Sequence, residues 1–316
     1  MKSKKILFIT SNSEQTVAWQ EREAYIRSFC EGVEDALKDV RVLYTTYDDL
    51  EFTVRGGESS IQDVRNKVDL RDYTFVHFKN WQYETEEATV AAGYLKAHHV
   101  PFYNTEVDMP VASGKLAQMF RLSEAGVPVP DSFYAHRSIL LDLFAESRLP
   151  FGFTFPVIMK ANDGSRGDDN HLVHSFEEAR AALVQIPAHK EVILQNFIAN
   201  NGDYRILFIG LESDPIIFLR TAVAGSHLNN TSKGGTGLFV DVASLPTDYM
   251  RYARKAAEVL RREIGGVDII VDKHTNKPYV LEVNGTPAIA TGYGVDEKIA
   301  KYAQFLAHHL EEVEEE

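Results

Sequence analysis

One cysteine, Cys30, stands in 316 residues. An internal disulfide is therefore excluded, and a reducing compartment, the cytoplasm, is expected. Long apolar runs are missing too: nothing approaches the ~20 residues of a membrane span. Residues 1–5 lead into the strand-length Ile6-Leu7-Phe8-Ile9 rather than a signal-peptide core. Positive charge is in deficit, with 33 basic against 46 acidic side chains and a formal charge of −13, which argues against nucleic acid as a partner. Part of the excess is a local acidic tail, Glu311, Glu312 and Glu314 to Glu316, expected to be solvated and frayed. Walker A, H-E-x-x-H and G-x-S-x-G patterns are absent, and Gly235-Thr236-Gly237 lacks the spacing of a dinucleotide fingerprint. The histidines His98, His99, His308 and His309 have no Cys or acidic spacing for a metal cluster and read as surface or packing residues.

What is present is the composition of a soluble protein, 44% hydrophobic and 25% charged, long enough for two or three cores. Strands over 5–10, 41–45, 73–78 and 101–103 with helices over 24–37 and 86–98 predict a parallel sheet with helices on its faces. Ligands of such sheets lie beyond the carboxyl ends of the strands. Polar stretches 11–15 and 77–83 fall there, with Lys79 and Trp81 as candidates to hold a carboxylate and its apolar body. A helix over 113–126 has Ser113 as N-cap, Leu116, Met119, Phe120 and Leu122 facing mostly inward, and Lys115 in its first turn. The helix dipole disfavours a cation there, which flags an anion nearby.

Further on, strands over 155–160 and 171–173 flank a glycine-bearing loop, 161–170, of the kind that lets backbone N–H groups approach an anion. A helix over 176–184, strands over 192–195, 202–209 and 215–221, and a polar loop over 225–237 follow. A helix over 247–264, closed by Gly265-Gly266, leads into a hairpin over 266–287, and a final helix spans 296–310. If the hairpin turn is centred near Thr275, Asp268 stands across from Glu282, and Asn284 points the same way as Glu282. Two carboxylates and an amide oxygen form a hard-cation set suited to Mg²⁺ shared with phosphates and water. The alternative is a solvent-exposed polar hairpin, in which Asp and Glu would repel.

In this order, two lysines, a glycine loop, an Asp-x-Arg strand, an Asn…Gly-Gly loop and an Asp…Glu-x-Asn hairpin resemble the ATP-grasp carboxylate–amine ligases, RimK-type and glutathione synthetase-like. The motifs cover about residues 105–310. The resemblance implies an α/β fold, α+β in its ATP-grasp part. An N-terminal parallel α/β domain (1–107) would precede a central subdomain (108–194) and a C-terminal subdomain (195–316) that sandwich ATP. It implies that Lys115 and Lys160 reach the nucleotide phosphates and that Gly164, Ser165 and Gly167 close over them. Gln195, Asn196 and Phe197 would form the adenine hinge, Asp203 would lie at the ribose, and Arg205 would aim at the transferred phosphoryl group. Asn230 would act at the phosphates and acceptor, with Gly234 and Gly235 beside it. Asp268, Glu282 and Asn284 would hold two Mg²⁺, with Mn²⁺ as a substitute.

The implied reaction joins a carboxylate to an amine through an acyl phosphate and releases ADP and phosphate. Anions must be brought together, so metal ions, lysines and Arg205 neutralise them, and a lid excludes water from the intermediate. Arg205, Asn230 and Lys160 are the implied catalytic residues. The substrates would be small molecules, an amino acid or peptide among them, and the protein a homo-oligomer, dimer or tetramer.

Two features depart from the family pattern. Asp168 and Asp169 stand where an apolar residue and a glycine are usual; beside a triphosphate they would either receive a cationic amine or turn outward. Leu228 takes the place of an arginine, with Lys233 or His227 as substitutes. The rival readings are a synapsin-like ATP-binding module without catalysis and a component of a carboxylase or phosphotransferase, whose extra domains 316 residues leave no room for.

Overall fold

β1 (Lys4–Thr10) is buried along nearly its whole length, as a strand covered on both faces must be. It pairs in parallel with β2 (Val40–Thr46) after the crossover helix α1 (Ala18–Ala36). An antiparallel meander follows, β3 (Leu50–Arg55), β4 (Glu58–Asp63) and β5 (Val68–Asp69), turned at Gly56-Gly57, both at positive φ. The sequence reading left this stretch without structure, because only Leu50 of β3 is buried and no alternation announces a strand. β6 (Phe75–Phe78), α2 (Thr85–Ala97) and β7 (Phe102–Tyr103) complete a parallel sheet in the order β2-β1-β6-β7. The structure is a computed structural model that describes residues 4–12, 18–81, 84–109, 114–162, 169–223, 226–229 and 235–315.

After α3 (Lys115–Glu124) comes a second sheet built from β8 (Ser132–Tyr134), β9 (Val157–Ala161), β10 (Asn170–Val173) and β11 (Val192–Asn196). It is antiparallel, in the order β10-β9-β11-β8, and is covered on one face by α4 (Arg137–Ala145) and α5 (Phe176–Gln185). The third sheet runs β14-β13-β12-β15-β16. Its strands are β12 (Asp203–Ile209), β13 (Ile216–Thr221), β14 (Thr236–Val240), β15 (Ile264–Val271) and β16 (Pro278–Asn284), with α6 (Thr247–Leu260) between β14 and β15 and α7 (Val295–Glu315) after β16.

The third sheet positions the site. Ile206, Phe208, Ile217, Val267 and Val283 turn one face to a core shared with α3 and α6. On the other face Leu207, Ile209, Ile216 and Phe218 pack in one core with Tyr302 and Leu306 of α7, with Phe29 of α1 and with Phe8 of the first sheet. Toward the far ends of the strands that same face turns charged, at Asp203, Arg205, Arg220 and Asp268.

Several boundaries differ from expectation. The helix expected over 247–264 ends at Leu260, where Arg261 takes a left-handed conformation. Gly265 and Gly266 lie inside β15, where a Cβ on Gly266 would stand 3.0 Å from Cδ of Arg205. These glycines permit close approach on a sheet rather than stopping a helix. Phe120, expected inward, is 66% exposed, and Trp81, expected at a ligand, is 7% exposed inside the core of the first sheet. α7 continues to Glu315, past the expected end at residue 310. The polar loop expected to reach Gly237 gives way at Thr236 to β14. Among the described residues no helix is long and apolar enough to cross a membrane.

Candidate active site

Antiparallel register places four charges on one face of three adjacent strands: Asp203 opposite Arg220, and Arg205 opposite Asp268. Glu282 of β16 then stands opposite Asp268 and extends the row to a fourth strand. Arg220 donates from Nε and Nη2 to both oxygens of Asp203, at 2.8 and 2.7 Å, and its Nη2 lies 3.0 Å from Oδ2 of Asp268. Arg205 grips Asp268 with Nε on Oδ1 and Nη2 on Oδ2, the latter at 2.7 Å. Burial opposes ionisation of Asp268, but Arg205 and Arg220 outweigh it and hold its carboxyl below the ordinary range. Gly266 has no side chain to displace Arg205, whose guanidinium passes over it.

The second sheet supplies the other wall. Lys160 of β9 donates to Oε1 of Gln195 at 2.9 Å, and Gln195 donates to Oγ of Ser132 at 2.8 Å. Burial pushes the Lys160 ammonium down to about 8, with Glu282 pulling it up and Lys115 adding to the depression. Lys115 opens α3 and stands 4.0 Å from Oε2 of Glu282, so an anion does lie near this first-turn cation. Asn162, just past β9, takes the place of a helix cap: its backbone oxygen accepts from the Lys115 amide and its Oδ1 from the Leu116 amide at 2.9 Å.

Between these walls lies a cleft with about 920 Å³ of empty space, part of it open to solvent. Of the residues singled out from sequence, Lys115, Lys160, Gln195, Asn196, Phe197, Asp203, Asp268 and Glu282 all line it. Arg205 and Asn284 stand on the same sheet face at its border. Gly164, Ser165, Gly167, Asn230, Gly234, Asp168, Lys233 and Ser113 lie outside the described residues. Asp169 pairs with Lys190 at 2.8 Å, so it is neutralised rather than available to a cationic amine. His227 bonds Asn170 at 3.0 Å, and burial lowers its pKa, so it offers a neutral imidazole and no substitute for an arginine.

A divalent cation fits part of the acidic set. Glu282 is 29% exposed and, among the described residues, accepts only from Asn284 Nδ2 at 3.1 Å besides facing Lys115. Asp268 already accepts three guanidinium hydrogen bonds, which leaves one of about four lone-pair sites. Glu282 and the amide oxygen of Asn284 would thus be the principal oxygen donors to such a cation, with Asp268 a minor one. Among the described residues no group of three or more His, Cys, Asp or Glu could hold a metal ion.

Arg220 escaped the sequence reading. The available signal was a lone arginine ending an apolar strand, Ile216 to Leu219, with Asp203 in the partner strand. A further basic group lies at the carboxyl end of β6. Lys79 is held by its amide on Ile9 O (2.9 Å) and its carbonyl under Tyr47 Oη (3.2 Å). Burial brings its ammonium down to about 8, with Arg22 and Lys298 adding to the depression and Cys30 opposing it. Among the described residues no carboxylate pairs with it. Lys298 donates to the carbonyls of Ala288 and Thr291, both at 2.8 Å, and is brought to about 8 by burial and then by Arg205. Cations therefore run from the first sheet toward Arg205.

Comparison with known proteins places this geometry. The RimK-like ATP-grasp domain profile matches residues 112–306. Tetrahydromethanopterin:alpha-L-glutamate ligase of Methanosarcina acetivorans is 30% identical over 238 residues, 66% of this chain and 72% of that protein. Glutamate–LysW ligase ArgX of Sulfurisphaera tokodaii is 28% identical over 229 residues, 68% and 77% of the two chains. Among solved structures, ATP-grasp ligase PsnB with minimal precursor, Mg and ADP superposes with a TM-score of 0.64 at 14% identity, over 96% of this chain and 97% of that one.

Proposed function

As a member of the RimK-like ATP-grasp family, this chain is an ATP-dependent ligase that joins a carboxylate to an amine, and we propose that its nucleotide lies in the cleft between the second and third sheets. The observation that carries this placement is the convergence of Lys160 of the second sheet and Lys115 of α3 on Glu282 of the third sheet. Lys115 and Lys160 neutralise the nucleotide phosphates, and the 195–197 strand end seats the adenine. Glu282 and Asn284, with Asp268, would hold Mg²⁺, two ions in this reading, which when bound neutralises charge between the phosphates and the incoming carboxylate. Arg205, clamped by Asp268, presents a fixed guanidinium to the group in transfer. The γ-phosphoryl passes to the carboxylate oxygen as ADP leaves. The amine then attacks the acyl carbon, phosphate departs, and the amine proton goes to solvent.

An amino acid as one substrate is favoured by the names of the relatives, and Lys79 is the proposed anchor of the acid. The test is ADP release across acid–amine pairs. A pair that raises it well above the ATP-only rate supports the reading, and failure of every acid–amine class returns the chain to a nucleotide-binding module. With such a pair in hand, Lys79→Met is expected to raise KM for the acid about tenfold, the effect of roughly 1.4 kcal/mol, with KM for ATP little moved. Equal change in both would remove Lys79 from the acid site.

Nucleotide affinity should also carry a pH signature. The Lys160 pKa is depressed to about 8, so the ammonium present at neutral pH is lost as pH rises through that value. Between pH 7 and 9 the Kd for ATP is expected to rise by up to about tenfold, because binding draws on the protonated fraction. Lys160→Arg keeps its charge and should flatten this rise in titration calorimetry; an unchanged slope would assign it to another group.

A further inference from the structure

β3 is the outer strand of the β3-β4-β5 meander, and past Leu50, whose amide donates to Tyr47 O, its free edge makes no backbone hydrogen bond among the described residues. Glu51 to Arg55 are all exposed, with Phe52 at 40% and Val54 at 84%. Phe52 and Val54 continue the face on which Leu50 and Ile61 are buried, so the apolar side of the hairpin runs past the body of the protein. Space around the tip is open: a Cβ on Gly56 or Gly57 would meet nothing within 4 Å. Exposed edges of this kind invite pairing unless proline, lysine or a bulge blunts them, and β3 contains none of these.

We propose that β3 is a dimer interface, pairing antiparallel with β3 of a second copy about a two-fold axis through Thr53. Facing residues share a sheet face, so this register sets Glu51 against Arg55 and Phe52 against Val54, each twice, with Thr53 against itself. One face then carries two ion pairs and the other two aromatic–β-branched pairs, the kinds of cross-strand neighbour that stabilise antiparallel sheets. Slipping by two residues, the smallest shift that keeps facing residues on one sheet face, would set Glu51 or Arg55 against Thr53 and lose both ion pairs. Charge complementarity therefore selects one register and a second copy of this chain, since an unrelated strand would share neither the Glu51–Arg55 spacing nor the two-fold. The result is a continuous sheet, β5-β4-β3-β3-β4-β5, across the dimer.

The test is sedimentation velocity of the full chain across a micromolar concentration range. Wild type is expected to sediment as a dimer. Glu51→Arg and Arg55→Glu each place like charges at both ends of the pairing and should give monomers. An equal mixture of these two variants restores opposite charges and should dimerise, as should the double variant with itself. Circular dichroism guards against misfolding, and both positions are exposed. A monomeric wild type, a dimer indifferent to the single reversals, or a mixture that stays monomeric would each overturn the proposal.

Discussion

Glu282→Ala is expected to lower ADP release by at least roughly 10²–10³-fold, the range seen when one group stabilising transition-state charge is removed, while the unfolding temperature stays near wild type. Among the described residues its polar partners are Lys115 and Asn284, and it lies outside the apolar cores. Its loss therefore removes no packing. It does remove the most accessible carboxylate of the oxygen set and the counter-charge of Lys115. A coupled ADP assay at saturating ATP measures the first effect and a thermal melt the second. Near-normal turnover would overturn the metal assignment, whereas a collapsed melting temperature would mean that Glu282 is structural.

The opposite pattern is expected at Arg220. Its guanidinium, buried like its partners, balances Asp203 and Asp268 together. Arg220→Ala would strand Asp203 away from water and leave Asp268 to Arg205 alone, and breaking a buried ion pair in this way typically costs about 3–5 kcal/mol. Burial lowers the pKa of this arginine, but Asp268 and Asp203 raise it further, so no neutral form relieves the site. Adding Asp203→Asn to the variant should return part of the loss, because the stranded charge is then removed. Urea unfolding of the single and double variants reads both numbers. A cost under about 1 kcal/mol for the single change would place it among ordinary surface substitutions and dissolve the network argument.

How much of this was legible in the chain depends on how local the cause is. The ion-ligand hairpin could be read because its side chains alternate along one short strand. Even so, the pairing of Asp268 with Glu282 rests on a slip in register: Ile269 pairs with Val280 and Val271 with Pro278, a register that continued unbroken would set Asp268 against Leu281. A bulge at Leu281 restores the pairing, and β-bulges commonly serve to re-aim a side chain. Arg220 was illegible because a charge on a strand reads as solvent-facing until its partners are known, and those partners lie on other strands. The meander from Leu50 to Asp69 was missed because most of β3 touches nothing that would impose a period. Gly265 and Gly266 looked like a helix stop because glycine serves both close approach and termination, and only the position of Arg205 distinguishes the two.

The apolar core that joins the first sheet to α7 bears on how the protein is made. Phe8 and Phe29 lie against Tyr302, with ring centroids 5.4 Å apart in each case, and Lys4 donates to the Leu310 carbonyl at 3.2 Å. As the chain leaves the ribosome, β1, β2 and α1 emerge early, yet one side of their core stays uncovered until the segment from Val295 onward is synthesised. The first sheet to be translated is thus among the last to be finished. During that interval its exposed Phe and Ile side chains are open to chaperones and to other nascent chains.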